Sequence, residues 1–157
     1  MRGETQALRL EKMMQRQHFT PEYELILPLM QIKKNTLKKL SKKDVLLLGL
    51  TSLEMHLLSG NEICAKVMVS NIENGHTIKI TDIGKSTVEQ YDSKKYEVLK
   101  CSFGKVQSRT LELGHTIGIT ALNMQEIHLM VKDKNIAKCS LVNVDNEIAI
   151  QIEKVRV

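Results

Sequence analysis

A repeat within the chain constrains its fold more than any other feature of the sequence. Residues 54–83 recur as residues 126–155, at a constant offset of 72 and without a gap. Nine of the 30 pairs are identical, and many of the others exchange one apolar residue for another. This mixture indicates one structural unit present twice, with a shared core rather than a shared active site. The identical pairs are Glu54/Glu126, His56/His128, Leu57/Leu129, Ala65/Ala137, Lys66/Lys138, Asn71/Asn143, Asn74/Asn146, Ile78/Ile150 and Ile80/Ile152.

Both copies have the residue pattern of β-strands joined by tight turns. Ala65, Val67 and Val69 occupy every second position, which is the period of a strand with one buried face. Asn and Gly favour hairpin turns because both tolerate positive φ. The expected turns are Ser59-Gly60-Asn61 and Asn74-Gly75 in the first copy, and Lys132-Asp133-Lys134 and Asp145-Asn146 in the second.

The segments before each copy complete the expected units. Residues 23–32 predict a strand that Pro28 confines to a sheet edge or a bulge. A short helix over residues 36–40 and a strand after Asp44 follow. In the second unit the counterparts are residues 96–106, headed by the same Tyr-Glu pair, residues 110–113 in place of the helix, and residues 115–119 in place of the Asp44 strand.

The chain is therefore expected to be mainly β with short helices, as two tandem units. Residues 1–21 form a basic lead-in, 22–83 the first unit, 84–95 a polar linker and 96–157 the second unit. A unit of about 65 residues has a marginal core when it is alone, so the two units are expected to pack together as an intramolecular pseudo-dimer. We assign the packing between them to Leu25, Leu27, Val98, Ile150 and Ile152.

Composition and charge narrow the possible functions. Aromatic residues make up only 3% of the chain, with no Trp, which argues against stacking on bases or sugars. Three cysteines without a CxxC spacing indicate reduced thiols and a cytoplasmic location, and no signal peptide or membrane-spanning run is visible. Residues 1–43 carry ten Lys and Arg against four Glu, so the net charge of +5 originates there. These lysines fit either a solvated face or an anionic partner.

No motif in the sequence predicts catalysis. The five histidines have no spacing typical of a metal site, and no GxSxG or phosphate-binding glycine loop is present. His56 and His128 hold matching repeat positions, yet the outward face of a strand accounts for them. We therefore expect no enzyme activity, no cofactor, no catalytic residue and no metal.

The motifs resemble the SpoA (surface presentation of antigens) domain. The close of the second copy, NIAKCSLVNVDNEIAIQI, is similar to the end of that domain, and TLKKLSKKDVLLL is similar to its T-L-x-x-L-x-x-G-D-V segment. Lys43 stands where the family has Gly, and the segment LELGHTIGIT of the second unit lacks the Gly-Asp step. Two tandem SpoA domains cover the chain from about residue 22, as in the C-terminal part of SctQ-type (YscQ/SpaO-like) proteins.

The resemblance implies a scaffold of the sorting platform, or C-ring, of a type III secretion system. Its implied partners are the N-terminal segment of an SctL-type ATPase regulator, other SctQ copies or their C-terminal product, an SctK-type adaptor and the basal body. It implies a cytoplasmic location at the inner-membrane base of the apparatus, without membrane insertion. Flagellar motor switch proteins of the FliM and FliN type, a basic nucleic-acid-binding protein that uses the lysines at 33–43, and a small hydrolase without a recognisable site are the alternatives.

Overall fold

The computed structural model describes residues 20–69, 77–88, 94–119, 122 and 125–156. This part of the chain is mainly β, as the alternating pattern predicts, and forms one open antiparallel sheet. Most of the predicted lead-in, the Asn74-Gly75 turn, His18 and His76 lie outside the described residues.

Eleven strands and one short helix are present among the described residues. The helix α1 spans Lys34–Lys38. The strands are β1 (Glu22–Ile26), β2 (Met30–Lys33), β3 (Val45–Leu50), β4 (Glu54–Ser59), β5 (Glu62–Val69), β6 (Thr77–Thr87), β7 (Tyr96–Gln107), β8 (Thr116–Gly118), β9 (Ile127–Val131), β10 (Lys134–Val144) and β11 (Glu147–Val155).

The strand order is symmetric about the central β1–β7 pair when strands of the first half of the chain are exchanged for strands of the second half. It is β3-β11-β10-β9-β7-β1-β4-β5-β6-β8, with β2 paired to β7 beside this path. Reversing the order exchanges β1 with β7, β4 with β9, β5 with β10, β6 with β11 and β3 with β8. Each strand of the first half that lies on this path therefore has a counterpart in the second half.

The two copies of the repeat have the same strand register. Leu57 lies opposite Ala65 in the β4–β5 pair, and Leu129 lies opposite Ala137 in the β9–β10 pair. Two register shifts also recur: one in the hairpin of each copy, at Cys64 in β4–β5 and at Ile136 in β9–β10, and one after Lys66 in β5–β6 and after Lys138 in β10–β11. The offset of 72 that is visible in the sequence is thus kept residue by residue in the hydrogen-bonded ladders.

The outermost strand of each half pairs with the other half of the chain. β3 precedes the first copy, but it pairs with β11 of the second copy. β8 precedes the second copy, but it pairs with β6 of the first. An equivalent backbone hydrogen bond lies at the start of each pairing. Ile152 N–H donates to Asp44 O at 2.8 Å, and Ile80 N–H donates to His115 O at 2.9 Å.

The tight turn before each of these outer strands has a left-handed residue. Lys43 has φ 75° and Gly114 has φ 81°, and their N–H groups donate to Ile152 O and Ile80 O respectively. Gly114-His115 therefore occupies the place in the second unit that Lys43-Asp44 occupies in the first. A residue with a β-carbon in this conformation costs about 1–2 kcal/mol, and Lys43 keeps the turn despite that cost.

Three expectations about the segments that precede each copy differ from the structure. The strand expected over 23–32 is interrupted at Pro28 and forms β1 and β2, because proline has no N–H for the ladder. Of the two expected settings, an edge or a bulge, β1 lies at the centre of the sheet rather than at an edge, and its pairing with β7 has a register shift between Leu25 and Ile26. The Tyr-Glu heads do not correspond: Leu25 lies opposite Leu57 and Cys101 opposite Leu129, which makes Leu99 the counterpart of Tyr23.

The third expectation that differs from the structure is the helix at 110–113. Residues 108–112 are irregular, because the Ser108 hydroxyl donates to Thr110 O at 2.8 Å and also accepts from Thr110 N–H at 3.3 Å. Such local side-chain bonds compete with helix formation. In addition, β6 continues to Thr87, so the first residues of the predicted linker belong to a strand.

One apolar cluster draws on both halves of the chain. It contains Leu57, Val67 and Ile80 from the first half and Leu129 and Ile152 from the second, each at most 1% exposed. Its aliphatic character agrees with the low aromatic content, and Phe103 is the one aromatic side chain among its fully packed members. Since the cluster spans all the central strands, both halves depend on the same core.

Leu57 and Leu129, which are counterparts and both 0% exposed, provide a test of this core. We expect Leu57→Ala and Leu129→Ala each to lower the free energy of unfolding by about 2–5 kcal/mol, because each leaves a cavity in the same cluster. Urea denaturation followed by circular dichroism measures the loss. Leu113→Ala is the control, because Leu113 is 67% exposed and its truncation should change stability by less than about 0.5 kcal/mol. A loss at only one of the two buried positions would contradict a shared core.

Candidate protein-interaction surfaces

Side chains that face away from the core form a row across the four central strands. His56, Ile26, Ser102 and His128 lie opposite one another on β4, β1, β7 and β9. Ile26 is 0% exposed and Ser102 3% exposed, although neither belongs to the apolar cluster. We call these four residues the central row; it places the two repeated histidines on either side of the β1–β7 pair.

An ion pair crosses the β1–β7 pair beside the central row. Lys100 Nζ lies 2.6 Å from Glu24 Oε1, and the Ser102 hydroxyl donates to Glu24 Oε2 at 2.7 Å. Ser102 Oγ also accepts from Gly104 N–H at 3.2 Å. Glu24 and Lys100 are each less than one-fifth exposed, so both oxygens of a largely buried carboxylate have partners.

The two repeated histidines have different surroundings. His128 Nδ1 lies 3.1 Å from the Asn135 side-chain amide, and its Nε2 lies 3.7 Å from Glu126. The counterpart of Asn135 in the first copy is Ile63, and His56 Nδ1 is buried without a hydrogen-bond partner among the described residues. Burial lowers the pKa of His56, and the charge of Lys66 lowers it further. His56 therefore favours the neutral form.

A groove lies between the hairpin turns of the two copies. Its volume is about 360 Å³, and matched residues of both copies line it: Leu58 with Met130, Gly60 with Lys132 and Asn61 with Asp133. We call it the axial groove. The other lining residues are Leu29, Val88, Glu97, Val98 and Lys100.

Glu97 is the most enclosed charge of the axial groove. Its side chain is 15% exposed, and its Oε1 lies 3.5 Å from Lys34 Nζ and 3.8 Å from Lys132 Nζ. The carboxylate thus links β7 both to α1 and to the turn between β9 and β10. The axial groove is thus a concave surface with apolar side chains and with charged groups held at fixed places.

The residues assigned to packing between the units lie in two different places. Leu25, Leu27, Ile150 and Ile152 are at most 1% exposed and belong to the apolar cluster. Ile150 lies opposite Leu46 of β3, at one of the pairings between the two halves of the chain. Val98 is only partly buried and lines the axial groove instead.

Most of the lysines at 33–43 are exposed around α1 and the start of β3. Lys34 is half-buried and paired with Glu97, whereas the others are exposed and form no ion pair within the described part of the chain. Val45 and Leu47 of β3 are also exposed, at 42% and 60%. We call β3 together with Lys33, Lys38, Lys39, Lys42 and Lys43 the basic edge.

The three cysteine side chains of the chain are buried and have free thiols. Cys64, Cys101 and Cys139 are buried and form no disulfide. Burial raises the pKa of Cys101 to about 12 and that of Cys139 to about 12. Because the thiolate is the reactive form, these two groups are unreactive at neutral pH.

The ion pair and the central row were not assigned from the sequence. Glu24 and Lys100 are 76 residues apart, and no local motif marks them, because they meet only when β1 pairs with β7. The sequence signal for the central row is the identity of His56 and His128 at the repeat offset of 72. In the described ranges no three His, Cys, Asp or Glu side chains form a group that could hold a metal ion, and no helix there is long and apolar enough to cross a membrane.

Comparison with protein-family models and with curated proteins finds no match for this chain. The residues of the surfaces described above therefore carry the functional proposal.

The surroundings of His56 predict a pH dependence. Because its pKa lies below the ordinary value of 6.5, the unfolded chain binds the proton more tightly than the folded chain. The stabilisation from neutral His56 is therefore present above pH 6.5 and is lost as the pH falls through the lowered pKa. An NMR titration of the His56 ring protons measures that pKa directly.

Two neighbouring charges supply opposite controls for this titration. Lys66→Met should raise the pKa of His56, because it removes a positive charge, and Glu54→Gln should lower it, because it removes a negative one. A pKa of His56 at or above 6.5 in the unaltered protein would contradict the assigned environment.

Proposed function

We propose that this chain is a non-enzymatic scaffold built from two tandem SpoA-type units that form an intramolecular pseudo-dimer. The observation that carries the proposal is the reciprocal pairing of the outer strands, β3 with β11 and β8 with β6. Neither unit completes its part of the sheet without a strand from the other. This arrangement supports an assembly module because the same exchange can occur between chains.

The register of the β1–β7 pair supports a twofold relation between the units. If Leu25 corresponds to Cys101, the offset in this region is 76. The pair Tyr23–Val106 is then related to the pair Met30–Leu99, and both pairs are present. Ile26 paired with Ser102 maps onto itself under this offset, which supports a twofold axis at the centre of the central row.

The setting we propose is the cytoplasmic sorting platform, or C-ring, of a type III secretion system. The SpoA-like motifs of the sequence support this setting, and in that family the role implies docking at the inner-membrane base of the apparatus. The proposed partners are the N-terminal segment of an SctL-type ATPase regulator, further SctQ-type copies and an SctK-type adaptor. Flagellar switch proteins carry one SpoA domain per chain, so two repeated units favour the secretion branch.

We assign the SctL-type segment to the axial groove. The groove draws matched residues from both units, so a site of this shape is complete only when the units are together. Leu58, Val98 and Met130 offer apolar contact, while Lys132 and Asp133 can set the register of a bound segment.

Affinity capture tests the proposed partner and its site. We expect the immobilised chain to retain an SctL-type protein through that protein's N-terminal segment. Val98→Glu and Met130→Glu should each weaken retention by about tenfold or more, because each introduces a charge into the groove. Leu113→Glu places the same charge on an exposed residue outside the groove and should retain the partner.

The outcomes separate the partner from its site. No retention of an SctL-type protein by the unaltered chain would contradict the secretion-platform role. Equal retention by the folded groove variants, with folding checked by circular dichroism, would contradict the axial groove as the site.

A further inference from the structure

We propose that β3 accepts an extended acidic peptide with aliphatic residues at alternate positions, which adds to the sheet as a further strand. The peptide would be a segment of another protein. This inference goes beyond the proposed secretion role and does not rest on it, because it is argued only from β3 and the lysines around it.

Within the described residues, β3 is an edge strand of the sheet. It pairs with β11 on one side, and no other strand of the described chain lies on its second side. In an antiparallel ladder alternate residues direct their N–H and C=O groups to opposite sides, so the outer groups of β3 have no strand partner. A row of such groups is the main requirement for strand addition.

The side chains of β3 fit an incoming strand with apolar residues at every second position. Leu46 and Leu48 pack against the core on one face, whereas Val45 and Leu47 are 42% and 60% exposed on the other. Aliphatic side chains of an added strand would lie beside Val45 and Leu47 as cross-strand neighbours and remove them from water.

A cavity next to the start of β3 extends this surface. Its volume is about 320 Å³, and it lies between α1 and β3, with Thr36, Lys39 and Leu40 on one side and Val45 and Leu46 on the other. Asn35 and Asp44 complete its lining. A side chain near one end of the added strand could enter this cavity beside Lys39.

The charge of the basic edge selects an acidic occupant. Five lysines of the edge are exposed and unpaired within the described residues, while Asp44 is the one acidic residue between Lys33 and Leu50 and accepts hydrogen bonds from Ser41 N–H and Oγ. A second copy of this chain would bring its own lysines to the contact, so repulsion disfavours pairing of two β3 edges. Glutamate or aspartate side chains on a peptide would neutralise the edge instead.

A nucleic acid explains fewer of these features. It would use the lysines, but it has no use for a free backbone edge or for exposed Val45 and Leu47. Residues 33–50 contain no aromatic side chain on which bases could stack. The counterpart edge at β8 has only three residues and lacks such a lysine cluster within the described residues, so of these two edges the β3 edge fits an acidic peptide.

Fluorescence anisotropy with the full chain tests this proposal. The probe is a labelled synthetic peptide of about eight residues that alternates glutamate and valine, a length that matches an ordinary strand. We expect saturable binding that weakens with added salt, together with slower amide hydrogen exchange in residues 45–50. The same peptide with a central proline should not bind, because it cannot continue the ladder.

A matched pair of charge reversals locates the site. Lys39→Glu with Lys42→Glu should weaken peptide binding by about tenfold or more. Lys79→Glu with Lys85→Glu makes the same change in net charge at exposed positions of β6 and should change affinity by less than about twofold. Leu47→Lys, at an exposed position, should also weaken binding without unfolding the chain.

Four results would overturn the proposal. They are binding of the proline peptide as strong as that of the probe, an unchanged affinity in the Lys39/Lys42 variant, binding of random duplex DNA with no binding of the peptide, and protection of residues 45–50 by dimerisation of the chain without peptide.

Discussion

The antiparallel pairing of β1 with β7 is the contact on which the rest of the structure depends. It joins four strands on one side, β4 to β6 and β8, to four on the other, β9 to β11 and β3. Glu24, Lys100 and Ser102 close this junction with short hydrogen bonds on the face away from the core. Because both charges are largely buried, removal of either partner would leave the other charge buried and unpaired, which is costly.

The interior of each copy could be predicted from the sequence, because its contacts are local. The offset of 72 and the turn residues define the hairpins, and Asp145 and Asn146 occupy the left-handed turn expected of them. The outer pairings could not be predicted in the same way. β3 and β11 are about a hundred residues apart in sequence, and nothing in the alternation of Leu46 or Ile150 identifies the strand that it will face.

The errors in the leading strands have the same physical origin. A shared Tyr-Glu pair suggested that Tyr23 corresponds to Tyr96, yet the ladder aligns Tyr23 with Leu99, since register follows the buried partners. Of the residues assigned to packing between the units, Val98 faces the axial groove because it alternates with buried Leu99. Local identity is therefore a weaker guide than the buried face of a strand.

The two copies have the same strand register but differ in residues outside the apolar cluster. Ile63 replaces the Asn135 that contacts His128, so of these two histidines His56 alone has a buried ring nitrogen without a partner among the described residues. The outer strands differ more, since β3 has six residues and a lysine-rich approach, whereas β8 has three. The two ends of the sheet therefore present different surfaces.

Nuclear Overhauser contacts between backbone protons test the reciprocal pairing most directly. We expect contacts between Leu46 and Ile150 and between Ile78 and Ile117 in the same sample, and a mixed-isotope sample should show that both arise within one molecule. Contacts of Leu46 with Ile78, which would pair β3 with β6 of its own unit, would contradict the exchange of strands on which the proposed scaffold rests.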